Sequence, residues 1–199
     1  MNTALFDRIN AFARDTPGLH AVVAGYANYG VLVFAALLLA GWWTARHSGQ
    51  PERMAAAVCA GAATLLAVAV NQPIVAAVAE ARPYTTHPGI LVLAHRSTDP
   101  SFPSDHAVMA GAAAAGLFLV SRTLGTVATV AALLMAFSRV YIAAHYPGDV
   151  VAGLVLGAAV ALACYAVGRR LLTRGIVAAS HSRLRPLVTA RTGGTARPA

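Results

Sequence analysis

The sequence predicts an all-α membrane protein: a bundle of about five transmembrane helices with an N-terminal interfacial amphipathic helix. Two observations support this. Hydrophobic residues make up 58% of the 199 and charged residues only 11%, with a mean hydropathy of +0.64, whereas a soluble domain carries about a quarter charged residues. The apolar residues also fall in runs of roughly 20, enough to cross a hydrocarbon core ~30 Å thick.

The elements follow in chain order. Residues 1–19 include Asp7, Arg8, Arg14, Asp15 and Pro17 with no apolar stretch ahead of Ala21, so no cleavable leader is expected. Leu5, Phe6, Ile9 and Phe12 share one helical face and Asp7, Arg8 and Arg14 lie off it, the pattern of a helix lying on a membrane surface. Spans are expected at 21–43, 54–79, 107–120, 124–142 and 150–167. The first ends on Trp42-Trp43, an aromatic anchor for the interface. The second contains Asn71-Gln72-Pro73, a polar step and a kink tolerated where neighbouring helices satisfy the freed backbone. The third and fourth are rich in Ala and Gly, and the fifth has Gly153 and Gly157 at a small-xxx-small spacing, so all three are expected to pack closely. Residues 1–170 read as one membrane domain. Residues 171–199 read as a basic cytoplasmic tail with too little apolar surface to fold alone.

All 15 basic residues are arginine and the net charge is +8. An odd number of spans places ten arginines on one face (46, 53, 122 and seven in the tail) and five on the other (8, 14, 82, 96, 139). The positive-inside rule then puts the tail in the cytoplasm and the 80–106 segment on the outer face of the membrane. Nucleic-acid binding is disfavoured, because the arginine tail has no aromatic residues to stack bases. Cys59 and Cys164 fall within spans and read as packing.

Three short stretches sit at the ends of these spans on one face: Glu80-Ala81-Arg82-Pro83, Pro103-Ser104-Asp105-His106, and Ser138-Arg139 followed by His145 and Asp149. Arg82 and Arg139 suit phosphate, since a guanidinium stays charged and forks two hydrogen bonds to a pair of oxygens; the plain alternative is a pair of arginines snorkelling to headgroups. Ser104 or Asp105 could cap the span beginning at Ala107, whose first amides would face an anion, with His106 a bystander in the simplest reading. The Pro147-Gly148 turn places His145 on a loop. Asp149 is close enough in sequence to hold one ring nitrogen as an N–H donor and leave the other as a nucleophile towards phosphorus. His106 is then the available proton donor. A metal site is the rival for His and Asp, and two converging arginines would repel a cation.

These residues resemble the type 2 phosphatidic acid phosphatase superfamily, whose signatures read K-x6-R-P, P-S-G-H and S-R-x5-H-x3-D. The third is complete in Ser138, Arg139, His145 and Asp149; the second has Asp105 for glycine; the first keeps Arg82-Pro83 but has Val75 where the lysine falls. The resemblance covers about residues 71–157. It implies His145 as nucleophile, Asp149 as its orienting partner and His106 as general acid, with Arg82, Arg139, Ser104 and the variant Asp105 at the substrate phosphate and no metal or other cofactor. Asn71, Arg96 or a main-chain amide would stand in for the lysine. Within the superfamily the pattern looks most like the bacitracin-resistance-type undecaprenyl-diphosphate phosphatases, which implies hydrolysis of that lipid outside the cytoplasmic membrane. Phosphatidate, phosphatidylglycerol phosphate or another prenyl phosphate is the alternative substrate, and a non-catalytic headgroup-binding protein the alternative class. Oligomeric state has no signature here.

Overall fold

Helix boundaries in this chain fall at proline, glycine and polar residues, and the computed structural model describes residues 2–190. The order is α1 (Asn2–Asp15), a 3-10 turn (Pro17–Leu19), α2 (His20–Tyr29), α3 (Val31–Ser48), α4 (Pro51–Val78), α5 (Pro83–Thr86), α6 (Asp105–Val120), α7 (Arg122–Tyr141), α8 (Pro147–Ser180) and α9 (Arg185–Val188). There is no strand among the described residues. Four helices, α3, α4, α7 and α8, are long and apolar enough to cross a membrane, and α6 is a shorter apolar helix. The chain is a multi-pass membrane protein.

α6 forms the centre of the bundle. Ala107, Val108, Ala110, Ala112, Ala113 and Leu117 have no exposed surface, so its neighbours surround it. The approach to α8 is set by small residues. A Cβ on Gly157 would stand 1.9 Å from the Val108 carbonyl oxygen, and one on Gly111 would stand 2.3 Å from that of Leu154. Only hydrogen fits at such a crossing.

Proline opens α4, α5 and α8 in their first turns, where the missing N–H has no helical partner to lose. Inside α4, Pro73 interrupts the hydrogen-bond ladder, and the side chains just before it turn to the loop: Asn71 Nδ2 donates to the Pro103 carbonyl at 3.1 Å. Ser121 caps α7 by accepting from the Leu124 amide.

Two expectations need correction. The first span is two helices, because the chain breaks at Gly30, where α2 ends and α3 begins. α1, the amphipathic helix expected at the N-terminus, packs part of its apolar stripe on protein: Phe6 lies against the rings of Tyr146 and His87 at 5.5 and 5.9 Å, and the Asn10 amide pairs with both backbone groups of Leu91. Leu5 and Phe12 remain exposed. Finally, the last span runs on to Ser180, well past 167, because 168–180 still offers Leu171, Leu172, Ile176 and Val177 between its arginines. Beyond it α9 folds back on α3. Trp42 Nε1 donates to the Leu187 carbonyl at 3.1 Å, Arg46 Nε donates to that of Pro186 at 2.6 Å, and the Arg46 guanidinium lies over both tryptophan rings. The tail expected from 171 is therefore folded to 190, and the rest of it, 191–199, lies outside the described residues.

Candidate active site

Three helices, the α7–α8 connection and one long loop meet around a cavity of about 520 Å³. Gln72, Val75 and Ala76 line it from one face of α4, His106 and Asp105 from the first turn of α6, and Arg139 from the last turn of α7. His145 enters from the α7–α8 connection, and Arg82, His95, Ser97 and Asp99 from the 79–104 loop. Arg82, Asp105, His106, Arg139 and His145, distant in sequence, are thus brought together.

Local geometry explains how each is held. α7 ends at Tyr141 and the chain reverses through Ala143, whose φ of 63° is left-handed, a conformation that costs a non-glycine residue roughly 1–2 kcal/mol. The amides of Ala144 and His145 both return to the Arg139 carbonyl. This turn sets His145 directly above the end of α7. Asp149, at the third position of α8, accepts from the Tyr146 amide at 2.8 Å, so the carboxylate that closes the helix start also stands beside the imidazole.

The imidazole itself is almost fully buried, with 3% exposure. Its Nδ1 lies 2.8 Å from the Ser101 carbonyl oxygen and 3.6 Å from Asp149 Oδ2. A carbonyl only accepts, so Nδ1 bears the proton and Nε2 keeps its lone pair. The expected partner was Asp149; the nearer acceptor is Ser101. The two are linked, since Ser101 Oγ donates to Asp149 Oδ2 at 2.5 Å. Nε2 faces Arg82 Nη1 at 3.4 Å. Burial lowers the His145 pKa below the usual imidazole value, and the charges of Arg139 and Arg82 act in the same direction against Asp149.

The two guanidiniums are each half committed. Arg82 gives Nε to the Asp99 carbonyl at 2.7 Å and Nη1 to that of Ala144 at 3.1 Å. Arg139 gives Nη1 to the Ala27 carbonyl at 3.2 Å, one turn before the α2–α3 break, and its buried Nε has no partner. Ser104 occupies the cap position of α6 without a side-chain capping bond, and its fully buried Oγ is likewise unpaired. Arg139 lines the cavity, where an anion would supply the acceptor its guanidinium lacks, whereas Ser104 lies behind the cavity wall.

Asp105 behaves differently from a phosphate ligand. Its Oδ1 accepts from Asn71 Nδ2 at 2.7 Å and Gln72 Nε2 at 3.0 Å, so α4 grips it at the kink. Asn71 is thereby occupied. Arg96 is also turned aside, its guanidinium 5.7 Å from the Tyr84 ring centre. Neither stands in the cavity for the lysine that the resemblance calls for, and Val75 lines the wall with an isopropyl group. Sequence reasoning missed Ser101 and His95. Both lie in the irregular 87–104 stretch, which has no helical periodicity; the only signal for Ser101 is its place just ahead of Pro103-Ser104.

Several known proteins are similar to most of this chain. A family model described as the PAP2 superfamily matches residues 56–172. An undecaprenyl-diphosphatase of Bacillus subtilis, BcrC, is 28% identical over 156 residues, 78% of each chain. A decaprenylphosphoryl-5-phosphoribose phosphatase of Mycobacterium tuberculosis is 34% identical over 155 residues, 77% of this chain and 83% of that one. Among solved structures, a PAP2-type phosphatidylglycerolphosphate phosphatase from Bacillus subtilis superposes with a TM-score of 0.58 at 23% identity, covering 84% of this chain and 88% of its own.

Proposed function

Since this chain belongs to the PAP2 superfamily and is a lipid phosphatase, we propose that it hydrolyses undecaprenyl diphosphate to undecaprenyl phosphate and inorganic phosphate through a phosphohistidine. The observation that supports this most is the tautomer of His145: Nδ1 is capped by the Ser101 carbonyl, and Nε2 opens on a cavity shared with Arg82, Arg139 and His106.

In the first step the Nε2 lone pair attacks the terminal phosphorus and the bond to the bridging oxygen breaks. His106 donates a proton to the departing prenyl phosphate. In the second step water gives a proton back to His106 and attacks the phosphohistidine, releasing phosphate and restoring neutral His145. Arg82 and Arg139 bind the oxygens on which charge gathers, as preorganised donors do in phosphoryl transfer. Asp149 and Ser101 steady the imidazole as it becomes cationic. No step needs a metal ion.

The arginine asymmetry supports an orientation with the site outside the bacterial inner membrane and the C-terminal segment inside. Residues 1–170 serve as the catalytic domain in this reading. A second reading takes the same site to a prenyl-linked sugar phosphate. It rests on the mycobacterial relative's name and on Asp105 and Gln72 in the cavity wall, a carboxylate and an amide suited to sugar hydroxyls. Phosphatidate and phosphatidylglycerol phosphate complete the panel.

The test is that panel of lipids with purified enzyme in EDTA, with vanadate as inhibitor and with substrate labelled in its terminal phosphate to trap an acid-labile, base-stable adduct at His145. Preferred turnover of undecaprenyl diphosphate, inhibition by vanadate and indifference to EDTA are expected. Turnover no better than that of phosphatidate overturns the substrate assignment.

A further inference from the structure

We propose that His95 is a substrate-binding residue that holds the second, non-transferred phosphate of a diphosphate lipid. The inference rests on the reading of the site as a prenyl diphosphatase and adds the residue that selects the diphosphate.

His95 lines the same cavity as Arg82, His106, Arg139 and His145. Its position is fixed by backbone, although the segment has no regular structure. The amides of Leu93 and Ala94 both donate to the Ile142 carbonyl, at 3.2 and 3.0 Å, three residues before His145. Further along, the Tyr84 hydroxyl bridges both backbone groups of Ser97, and Arg82 Nε holds the Asp99 carbonyl. His95 therefore stands on a loop pinned on either side, and each pin belongs to a residue of the site or its immediate support.

Chemistry then divides the cavity. Arg82 and Arg139 line the cavity with His145, and Arg82 Nη1 lies 3.4 Å from Nε2, where the transferred phosphate must lie. A diphosphate brings a second anionic group that needs its own donor, and the α4 wall offers only Val75 and Ala76 there beside Gln72. Arg96, the adjacent cation, is stacked on Tyr84 and does not line the cavity. His95 supplies an N–H donor to the second phosphate oxygens. A monoester lipid has no group to meet it.

The experiment compares wild type with His95→Ala, His95→Gln and the double variant His95→Ala/Val75→Lys, each on a prenyl diphosphate and on phosphatidate as the monoester control. Losing one hydrogen bond to a charged group should raise KM for the diphosphate by about ten- to a hundredfold. Phosphatidate kinetics should stay within about twofold. His95→Gln, which keeps a donor, should retain part of the affinity, and a lysine at 75, facing the same volume, should restore it in the alanine background. An equal loss on both lipids, or no loss on the diphosphate, overturns the role of His95 and leaves the diphosphatase reading standing. A wild-type enzyme that does not prefer the diphosphate overturns that reading and this inference with it.

Discussion

The Nδ1 atom of His145 is hydrogen-bonded to the main-chain oxygen of Ser101 at 2.8 Å, while the carboxylate of Asp149 stands back at 3.6 Å. The tautomer is thus set by backbone, which no side-chain substitution removes. Asp149→Asn should keep a correctly aimed imidazole and lose chiefly the charge that favours its cationic state. We expect kcat to fall about a hundredfold for Asp149→Asn and about 10³-fold or more for His145→Ala, since units of this kind fail together once the nucleophile goes. Stopped assays with the two variants side by side check the order; equal losses would return the orienting role to Asp149.

Ser101→Ala removes the hydroxyl but not the carbonyl. Asp149 Oδ1 already has no partner, so the variant leaves Oδ2 with the Tyr146 amide alone. Activity should drop about tenfold, the cost of one hydrogen bond to a charged group, with KM little changed. A loss as deep as that of His145→Ala would show that the loop itself had moved.

The acid limb of the kcat/KM profile should lie below the ordinary imidazole value of about 6.5. Burial lowers the His145 pKa, so the neutral nucleophile persists as pH falls past that value. The sign for stability is the same: the unfolded chain binds the proton more readily, so this contribution is present above about 6.5 and is lost as pH falls below it. Rates and melting temperatures between about pH 5 and 8 test both statements. An acid limb above the ordinary value would contradict them.

Gly157→Ala should lower the melting temperature in detergent, because the added Cβ would meet the Val108 carbonyl oxygen at 1.9 Å and part α8 from α6; overpacking of this kind costs about 1–3 kcal/mol. Gly61→Ala, with nothing within 4 Å of its Cβ, is the control and should be neutral or mildly stabilising, as alanine favours a helix.

Removing 175–199 cuts the end of α8 and strips α9 from Trp42 and Arg46, so the melting temperature should fall while kcat/KM of the folded fraction is retained. A matched loss of activity in folded protein would tie the far end of the bundle to the catalytic cavity.

The helical bundle was legible because lipid demands long apolar runs, and such runs show at any register. Arg82, Asp105, His106, Arg139 and His145 were legible for a related reason: they interrupt or flank those runs, where charge has few other uses. Less was readable where backbone decides. The break at Gly30 looks like any glycine in an apolar stretch. Asn10 meeting Leu91 joins parts of the chain far apart in sequence, so no local pattern announces it. Ser101 acts at His145 through its carbonyl, an atom every residue has. His95 and Arg96 are adjacent and both basic, and only the Tyr84 ring decides which of them reaches the cavity.

The alanines and glycines of α6 have one more effect. Such side chains have no rotamers to lose when they become surrounded, so ordering the middle of this bundle costs little conformational entropy beyond that of the main chain. Contact here comes from backbones drawn together rather than from large groups interlocking, and that leaves few soft spots for the walls to yield when a charged headgroup enters.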